Sequence, residues 1–588
     1  MTLAKHWVYK PHEDIVLSHI KGLCASNPAV ALIPSEKVVF NPHSDTSRKV
    51  CLISGGGAGH EPLHAGFVGT NLLDAAVSGA VFASPSTKQI MAAIKTKSDK
   101  SQGTLIIVKN YTGDILHFGL VVERAKSEGY NVEMLAVADD VAVGRKQNAM
   151  VGRRGLAGTA LVHKVLGAAT ATTTLTLAQV VALGRAVNGA MVTVGASLDR
   201  TSVPGKTHDE IEFNGPNEAE LGLGIHNEPG TKMSPIPAID DLVRDMYAML
   251  VSPDDEDRHY IDFDLKNDDT VLLINNIGGT SSLELYAIVQ HAISGLPLSH
   301  QPQRVLVSDF VTSLNAPGFS ITLLNLSSVE KNSGFSKAEI LAFLDAPTDA
   351  PGWKPKSYSS WDSPSVEIES PMKEVAPVSS DLKINGSQFL QQLQNAMYTL
   401  KKAEPKITHY DTLVGDGDCG DTLVMGADGI LAAAKTPEFQ AASADPVAVL
   451  SRITEIVEEN MGGTSGGIYS IYLTALVHQL QSLPDVSVES VGKALYKALY
   501  DGLFKYTNAR VGGRTLVDTL QPFVDTLSET HNVSKALEAA RAGCEKTKEL
   551  QAKFGRASYV DESEFKADGG VPDPGAVGLL AIMEGFLA

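Results

Sequence analysis

Two histidine loops, one lysine–aspartate pair and one cluster of acids hold the residue types able to do chemistry. Gly55-Gly-Gly-Ala-Gly-His-Glu-Pro62 follows the apolar run Val50-Cys-Leu-Ile-Ser54 directly. Glycines at the carboxyl end of a strand let backbone approach a bound molecule closely, and His60 brings an imidazole to that point. Pro62 is placed to begin a helix whose first amides face the same molecule. Gly222-Leu-Gly-Ile-His-Asn-Glu-Pro-Gly230 repeats the phrase and sets His226 in a second glycine-rich, proline-ended turn. A neutral imidazole is a nucleophile toward a carbonyl, and the ordinary histidine pKa leaves much of it neutral at cellular pH. Between the two loops, Val108-Lys-Asn-Tyr-Thr-Gly-Asp114 puts Lys109 and Asp114 at the end of another apolar run. That pair can bind hydroxyls, and the carboxylate can take a proton. Tight turns, a packed core histidine and a solvated loop pair are the plainer alternatives. Recurrence of the histidine loop and placement after buried strands favour a site.

Familiar nucleotide motifs fail on spacing. Counted from Gly55, a dinucleotide fingerprint needs glycine where His60 stands; counted from Gly57, it needs glycine at Pro62. Gly205-Lys-Thr207 ends like a phosphate loop, but Arg200 occupies the first glycine's place. The strongest metal signal is Asp411-Thr-Leu-Val-Gly-Asp-Gly-Asp-Cys-Gly-Asp-Thr422, with Asp411, Asp416 and Asp418 read as a loop after a helix. Carboxylate oxygens suit Mg²⁺, which keeps waters and phosphate as its other ligands. A calcium loop starting at Asp416 is excluded, because its fifth and twelfth positions are Gly420 and Ala427. An acidic loop that merely caps a helix is the plain alternative. Met461-Gly-Gly-Thr-Ser-Gly-Gly467 offers backbone N–H groups and two hydroxyls to phosphates. Asp573-Pro-Gly-Ala576 adds a turn that can touch a nucleotide.

The elements that must position these residues divide the chain. From 1 to 345, short apolar runs alternate with loops and helical stretches: Val50–Ser54, Thr104–Val108, Met134–Val137, Val271–Ile274, Val305–Val307 and Ile321–Leu324. Their β-branched content predicts buried strands in α/β layers. A long polar stretch predicts two lobes with a break near 200–240. Residues 346–384 carry Pro, Ser and acids without a period, which predicts a linker. From 385 to 588 strand signals vanish, and Phe389–Met397, Val447–Ile456, Ala494–Leu503 and Val533–Arg541 keep helical spacing. An α/β half joined to an all-helical half predicts two ligands brought together.

Composition bounds the rest. At roughly 100–200 residues per domain, 588 residues make about three to five domain-sized units. With 43% hydrophobic and 20% charged residues the chain can bury a core. A net charge of −19 excludes a broad nucleic-acid face, which has to be basic. Four scattered cysteines, Cys24, Cys51, Cys419 and Cys544, form no CxxC pair, so neither a disulfide framework nor a structural zinc site is expected. No apolar run approaches the ~20 residues of a membrane span. A cytoplasmic protein without membrane or nucleic-acid partners is the expectation.

In this order the motifs resemble the single-chain, ATP-dependent dihydroxyacetone kinases. Gly55–Pro62, Lys109–Asp114 and Gly224–Gly230 resemble that family's substrate domain. Gly415–Gly420, Gly462–Gly466, Phe554-Gly-Arg-Ala-Ser-Tyr559 and Asp573–Gly575 resemble its ATP domain. The resemblance implies two α/β lobes followed by an eight-helix barrel, and commonly a homodimer. It implies that His226 forms a hemiaminal with the ketone, that His60 supports the adduct, and that Gly57, Ala58, Gly59, Lys109 and Asp114 contact substrate. Asp114 would also be the base toward the hydroxyl being phosphorylated. Asp411, Asp416 and Asp418 would hold two Mg²⁺ ions on ATP. Cys419, Gly420, Asp421, Thr422, Thr464, Ser465, Thr507, Thr515, Leu516, Asp573, Pro574 and Gly575 would contact the nucleotide. Ala58 stands where the family usually has serine, so a backbone contact survives and a hydroxyl contact is lost. The expected reaction is phosphorylation of dihydroxyacetone, with glyceraldehyde as a further substrate. FAD cyclisation and a non-catalytic ketone sensor or co-regulator are the alternatives. A phosphotransfer-system subunit would not need a fused ATP domain. A sensor would lack the helical half or its metal acids, and both are present.

Overall fold

The structure is a computed structural model that describes residues 6–8, 14–146, 151–207, 211–355, 361, 368, 378–552 and 570–588. Two compact units divide the chain, Met1–Glu367 and Ile368–Ala588.

The first unit contains two six-stranded sheets. One is built from β1 (Ala31–Ile33), β2 (Val38–Phe40), β3 (Cys51–Ala58), β4 (Ala75–Val81), β5 (Thr104–Lys109) and β6 (Val132–Val137). Its order is β1-β2-β4-β3-β5-β6, and β4, β3, β5 and β6 run parallel. Helices α1 (Ile15–Ser26), α2 (Thr87–Lys97) and α3 (Thr112–Ser127) belong to this part of the chain, followed by α4 (Gly158–Thr172) and α5 (Leu177–Gly189). The second sheet holds β7 (Met191–Ser197), β8 (Ala219–Leu221), β9 (Thr231–Met233), β10 (Thr270–Asn276), β11 (Arg304–Ser308) and β12 (Gly318–Asn325), ordered β11-β10-β12-β7-β8-β9. Here only β10 and β11 pair in parallel among the described strands. Helices α6 (Ile239–Val251), α7 (Ser282–Ser294), α8 (Leu326–Ser333) and α9 (Lys337–Asp345) complete the unit.

The strands are buried on both faces, and their period of two shows how. Leu52, Leu105 and Ile107 of the first sheet share one core with Val271 and Leu273 of the second. Cys51, Ile53, Ile106 and Val108 face the opposite way, into a core with α2 and α3. Leu272 and Ile274 face a core with α6 and α7. In the shared core, every α4 residue but the last two is buried, as expected of a helix that is apolar all round.

All six apolar runs named above lie in strands. The break expected near 200–240 needs correction, because the second sheet already begins at Met191 and its strands β8 and β9 fall inside that stretch. Both are three residues long, too short to leave a periodic signal. Pro62 begins no α-helix. It lies in a turn before the 3₁₀ segment Ala65–Phe67, whose residues are buried in the core. The glycine run also differs, since Gly55–Gly57 continue β3 rather than forming a loop.

The linker region 346–384 is pinned where it is described. Thr70 donates its N–H to Asp349 Oδ1 (2.7 Å), Gly352 donates to the Gly66 carbonyl (2.8 Å), and Trp353 is buried. Farther on, Ser380 donates from its N–H and its hydroxyl to Asp445. Most of the segment between them lies outside the described residues.

The second unit is helical among its described residues: α10 (Gly386–Val414), α11 (Cys419–Ala433), α12 (Pro437–Ala442), α13 (Pro446–Asn460), α14 (Gly463–Leu480), α15 (Val488–Lys497), α16 (Val517–Thr530), α17 (Val533–Lys546) and α18 (Pro574–Leu587). α10 packs against α11 and α18, and the succession α11, α13, α14, α15 and α16 returns to α18. All four cysteines are free. No helix among the described residues is long and apolar enough to cross a membrane.

Candidate active site

In the first unit the two histidine loops meet. His60 Nε2 and His226 Nε2 are 3.0 Å apart, with the rings edge to face. One loop, between β11 and β12, holds both. Thr312 accepts from His60 Nδ1 through its carbonyl (2.9 Å), and Ser313 donates its hydroxyl to the Ile225 carbonyl (2.7 Å). Phe82 stacks on His60, and Tyr111 meets the edge of His226. Gly59 enters this corner at φ +103°, and a Cβ there would come within 2.6 Å of Phe82 Cε1, so only glycine fits. Glu228 grips the second loop at two points. Its Oε2 accepts the His226 N–H (2.8 Å), and its Oε1 accepts from His226 Nδ1 (3.1 Å).

These partners assign protons. A carbonyl and an ionised carboxylate can only accept, so both imidazoles carry hydrogen on Nδ1. Both Nε2 atoms would then be bare in neutral rings. A 3.0 Å Nε2···Nε2 contact therefore holds one additional shared proton. Burial, followed by the charges of Lys109 and His226, drives the His60 pKa well below its usual value. Burial alone would raise the Glu228 carboxyl, but its bonds to His226 and the imidazole charge hold it at about 2.

Lys109 ends β5 and Asp114 sits in the first turn of α3, both buried. Burial pulls the Lys109 ammonium down to about 8, opposed by the charges of Asp114 and Glu228. Burial raises the Asp114 pKa, against Lys109 and a hydrogen bond that Ser84 donates to Oδ1. The structure thus brings together His60, His226, Lys109 and Asp114, with Gly57, Ala58 and Gly59 on the strand end beside them.

In the second unit, one oxygen from each of Asp411, Asp416 and Asp418 lies within 4.8 Å of the others. Asp411 is not in a loop as expected. It is buried in the last turn of α10, where its Oδ2 accepts the Cys419 N–H (3.0 Å), while Asp416 and Asp418 are exposed. An all-carboxylate set with two members open to water fits a hard divalent cation that retains water and phosphate ligands. Cys419, Gly420, Asp421 and Thr422 form the first turn of α11. Thr464 and Ser465 form that of α14, so the glycine segment is a helix start rather than a wrapping loop. Thr515 and Leu516 lead into α16, Asp573 caps α18 with Pro574 and Gly575 following, and Thr507 lies in the loop before Thr515. Ser465 bonds the Cys419 thiol, and Thr519 of α16 donates to the Ala576 carbonyl of α18. Burial, then Asp518 and Asp411, lift Asp573 to about 7 despite Arg514. Helix N-termini attract anions such as phosphate. Phe554–Tyr559 lies outside the described residues.

Sequence reasoning missed six positioning residues. Glu228 stood inside a quoted motif, yet spacing does not say which atom it meets. Ser84 and Phe82 follow β4, and Thr312 and Ser313 lie in a loop with no glycine signature. Asp518 was also missed. It accepts the N–H groups of Gly512 (2.6 Å) and Thr515 (2.8 Å) and so fixes that loop.

An α/β unit with a convergent imidazole pair and a helical unit with a carboxylate cluster define a two-ligand transferase architecture. Comparison with known proteins agrees. The Dak1 domain model matches residues 21–352 and the DAK2 domain model residues 413–588. The chain is 49% identical to "Dihydroxyacetone kinase" of Pichia angusta, over 99% of this chain and 98% of that protein. It is 36% identical to "Triokinase/FMN cyclase" of Mus musculus, over 97% and 96%. The dihydroxyacetone kinase of C. freundii, solved in complex with AMP-PNP and Mg²⁺, superposes with a TM-score of 0.62 at 29% identity, covering 99% of each chain. The chain belongs to the dihydroxyacetone kinase family, in the form that joins both domains in one polypeptide.

Proposed function

We propose that this protein phosphorylates dihydroxyacetone with MgATP, holding the ketone as a hemiaminal on His226. The observation that carries this reading is the chain Glu228–His226–His60, with contacts of 3.1 and 3.0 Å. It provides what carbonyl addition needs. With the shared proton on His60 Nε2, the His226 Nε2 lone pair adds to the carbonyl carbon, and the π pair moves to oxygen. That oxygen takes the proton shared with His60. The alkylated ring keeps its Nδ1 hydrogen and its positive charge, balanced by Glu228, and His60 is left neutral. Charge is conserved throughout, and the half-buried Glu228 carboxylate stabilises the cationic ring.

The covalent anchor stops the ketone rotating, which favours in-line attack. Lys109 holds a hydroxyl, and Asp114, with its pKa raised by burial, accepts the proton of the hydroxyl that attacks the γ-phosphate. Asp411, Asp416 and Asp418 hold Mg²⁺, two ions in the fullest form of the proposal, and Cys419–Thr422, Thr464, Ser465, Thr507, Thr515, Leu516 and Asp573–Gly575 receive ATP. Bound cations supply charge neutralisation to the phosphate oxygens. A homodimer in the cytoplasm, with glyceraldehyde as a second substrate, completes the proposal.

ATP-dependent phosphorylation measured with dihydroxyacetone, glyceraldehyde and glycerol tests it. Turnover is expected with the two carbonyl compounds and not with glycerol, which has no carbonyl to anchor. Equal use of glycerol would overturn it.

A further inference from the structure

Behind the histidine pair lies a second imidazole cluster that the reaction above does not use. His64, His163 and Ser54 are all buried, at 3%, 0% and 0% exposure. Ser54 donates its hydroxyl hydrogen to the Ile107 carbonyl (2.6 Å) and lies 2.8 Å from His64 Nδ1. With its hydrogen used, the hydroxyl oxygen can only accept. His64 therefore carries hydrogen on Nδ1, a hydrogen that also faces His163 Nε2 at 3.2 Å. The ring cannot easily take a second proton, because burial, then His163 and Lys109, push its pKa well down. Nε2 of His64 is thus fixed as a bare acceptor.

That acceptor has no protein partner, and neither does the ammonium of Lys109, which is 1% exposed. Leaving a buried polar atom unpaired is costly, so such atoms mark places where something else binds. Gly56 shows where His64 Nε2 points. A Cβ on Gly56 would lie 3.3 Å from His64 Nε2 and 3.6 Å from Asp114 Oδ2. The missing side chain leaves room between the orphan acceptor and the carboxylate proposed as the base. Asp114 Oδ1 is taken by Ser84, so Oδ2 is the oxygen turned to that room.

We propose that His64 Nε2 accepts a hydrogen bond from the ketone's second hydroxyl, the one not phosphorylated, and so favours ketones hydroxylated on both flanks over ketones hydroxylated on one. This rests on the proposed function, of which it is the specificity element. Asp114 takes the hydrogen of the attacking hydroxyl and cannot share it, so a second acceptor implies a second hydroxyl. Ser54 and His163 are positioning residues that keep the acceptor nitrogen bare.

The test is kcat/KM of wild type, His64→Phe and His64→Gln with dihydroxyacetone and with hydroxyacetone, which lacks one hydroxyl. His64→Phe is expected to lose about 10- to 100-fold with dihydroxyacetone, the range for one hydrogen bond to a buried partner. It should change little with hydroxyacetone, so that the preference between the two collapses. His64→Gln, which restores an acceptor oxygen near the Nε2 position, should recover most of the preference. Equal losses with both ketones would mean a merely structural role and overturn the inference, as would an unchanged ratio. Failure of the wild type to phosphorylate either ketone would instead refute the proposed function, so the two failures are distinct.

Discussion

The imidazole cluster of the first unit and the carboxylate cluster of the second stand in opposite relations to water. His60, Lys109 and Asp114 are buried, whereas Asp416 and Asp418 are exposed. In the buried cluster every proton is assigned by a neighbour: Thr312 for His60, Glu228 for His226, Ser54 for His64. Desolvation moves the pKa values far from their ordinary range there. In the carboxylate cluster, charge counts for more than proton placement, and the geometry comes from the end of one helix and the start of the next. The chemistry proposed to make and break a bond to carbon is thereby assigned to the buried cluster, and the proposed binding of a hydrated cation and a polyanion to the one that water can reach.

The largest effect expected from this contrast separates the two sites. Asp416→Asn or Asp418→Asn should lower turnover by about a thousandfold, because an amide cannot replace the charge of a cation ligand. The ketone adduct should form normally in both variants. Normal rates with normal MgATP affinity would break the comparison, as would loss of the adduct.

A smaller effect is expected inside the buried cluster. Glu228→Gln should slow adduct formation about 100-fold, the upper range for removing a group that orients a functional imidazole. It should also shorten the lifetime of the adduct that does form. With the carboxylate gone, the positive charge of the alkylated ring loses its partner, so the effect should fall on the adduct and not on MgATP affinity. Normal adduct formation and lifetime in Glu228→Gln would reduce Glu228 to a packing role.

The smallest effect is a titration. Lys109 is held at about 8 by burial, so its charge is complete near neutral pH and is lost as pH rises through 8. The KM for dihydroxyacetone should be flat below that point and rise above it, approaching about tenfold per pH unit for a single proton. In Lys109→Met the KM should be higher at neutral pH and the alkaline limb absent. An alkaline limb that survives in Lys109→Met would assign it to another group.

The same contrast explains what could be read from sequence. The clustering of Asp411, Asp416 and Asp418 was legible because they lie within eight positions. His60 and His226 are 166 positions apart and were matched only through the likeness of their glycine loops. Glu228, Thr312 and His64 were not legible as functional residues, because their roles depend on which nitrogen each faces. Six strands were recognised from apolar runs of three to five residues, while β4 and β7, with Ser and Gly among their residues, and the three-residue β1, β2, β8 and β9 were not. Pro62 was misread for a related reason. Its local sequence permits a helix start, but burial of Leu63, Ala65 and Phe67 in the core holds the segment in turns.

The central claim is that the ketone is bonded to His226, and ¹³C NMR of the protein with dihydroxyacetone labelled at its carbonyl carbon tests it directly. Wild type without nucleotide should convert the carbonyl resonance to that of a tetrahedral carbon, one per chain, and His226→Ala should leave the free ketone signal unchanged. A carbonyl resonance that persists in bound wild type, or a tetrahedral signal that survives in His226→Ala, would contradict the account.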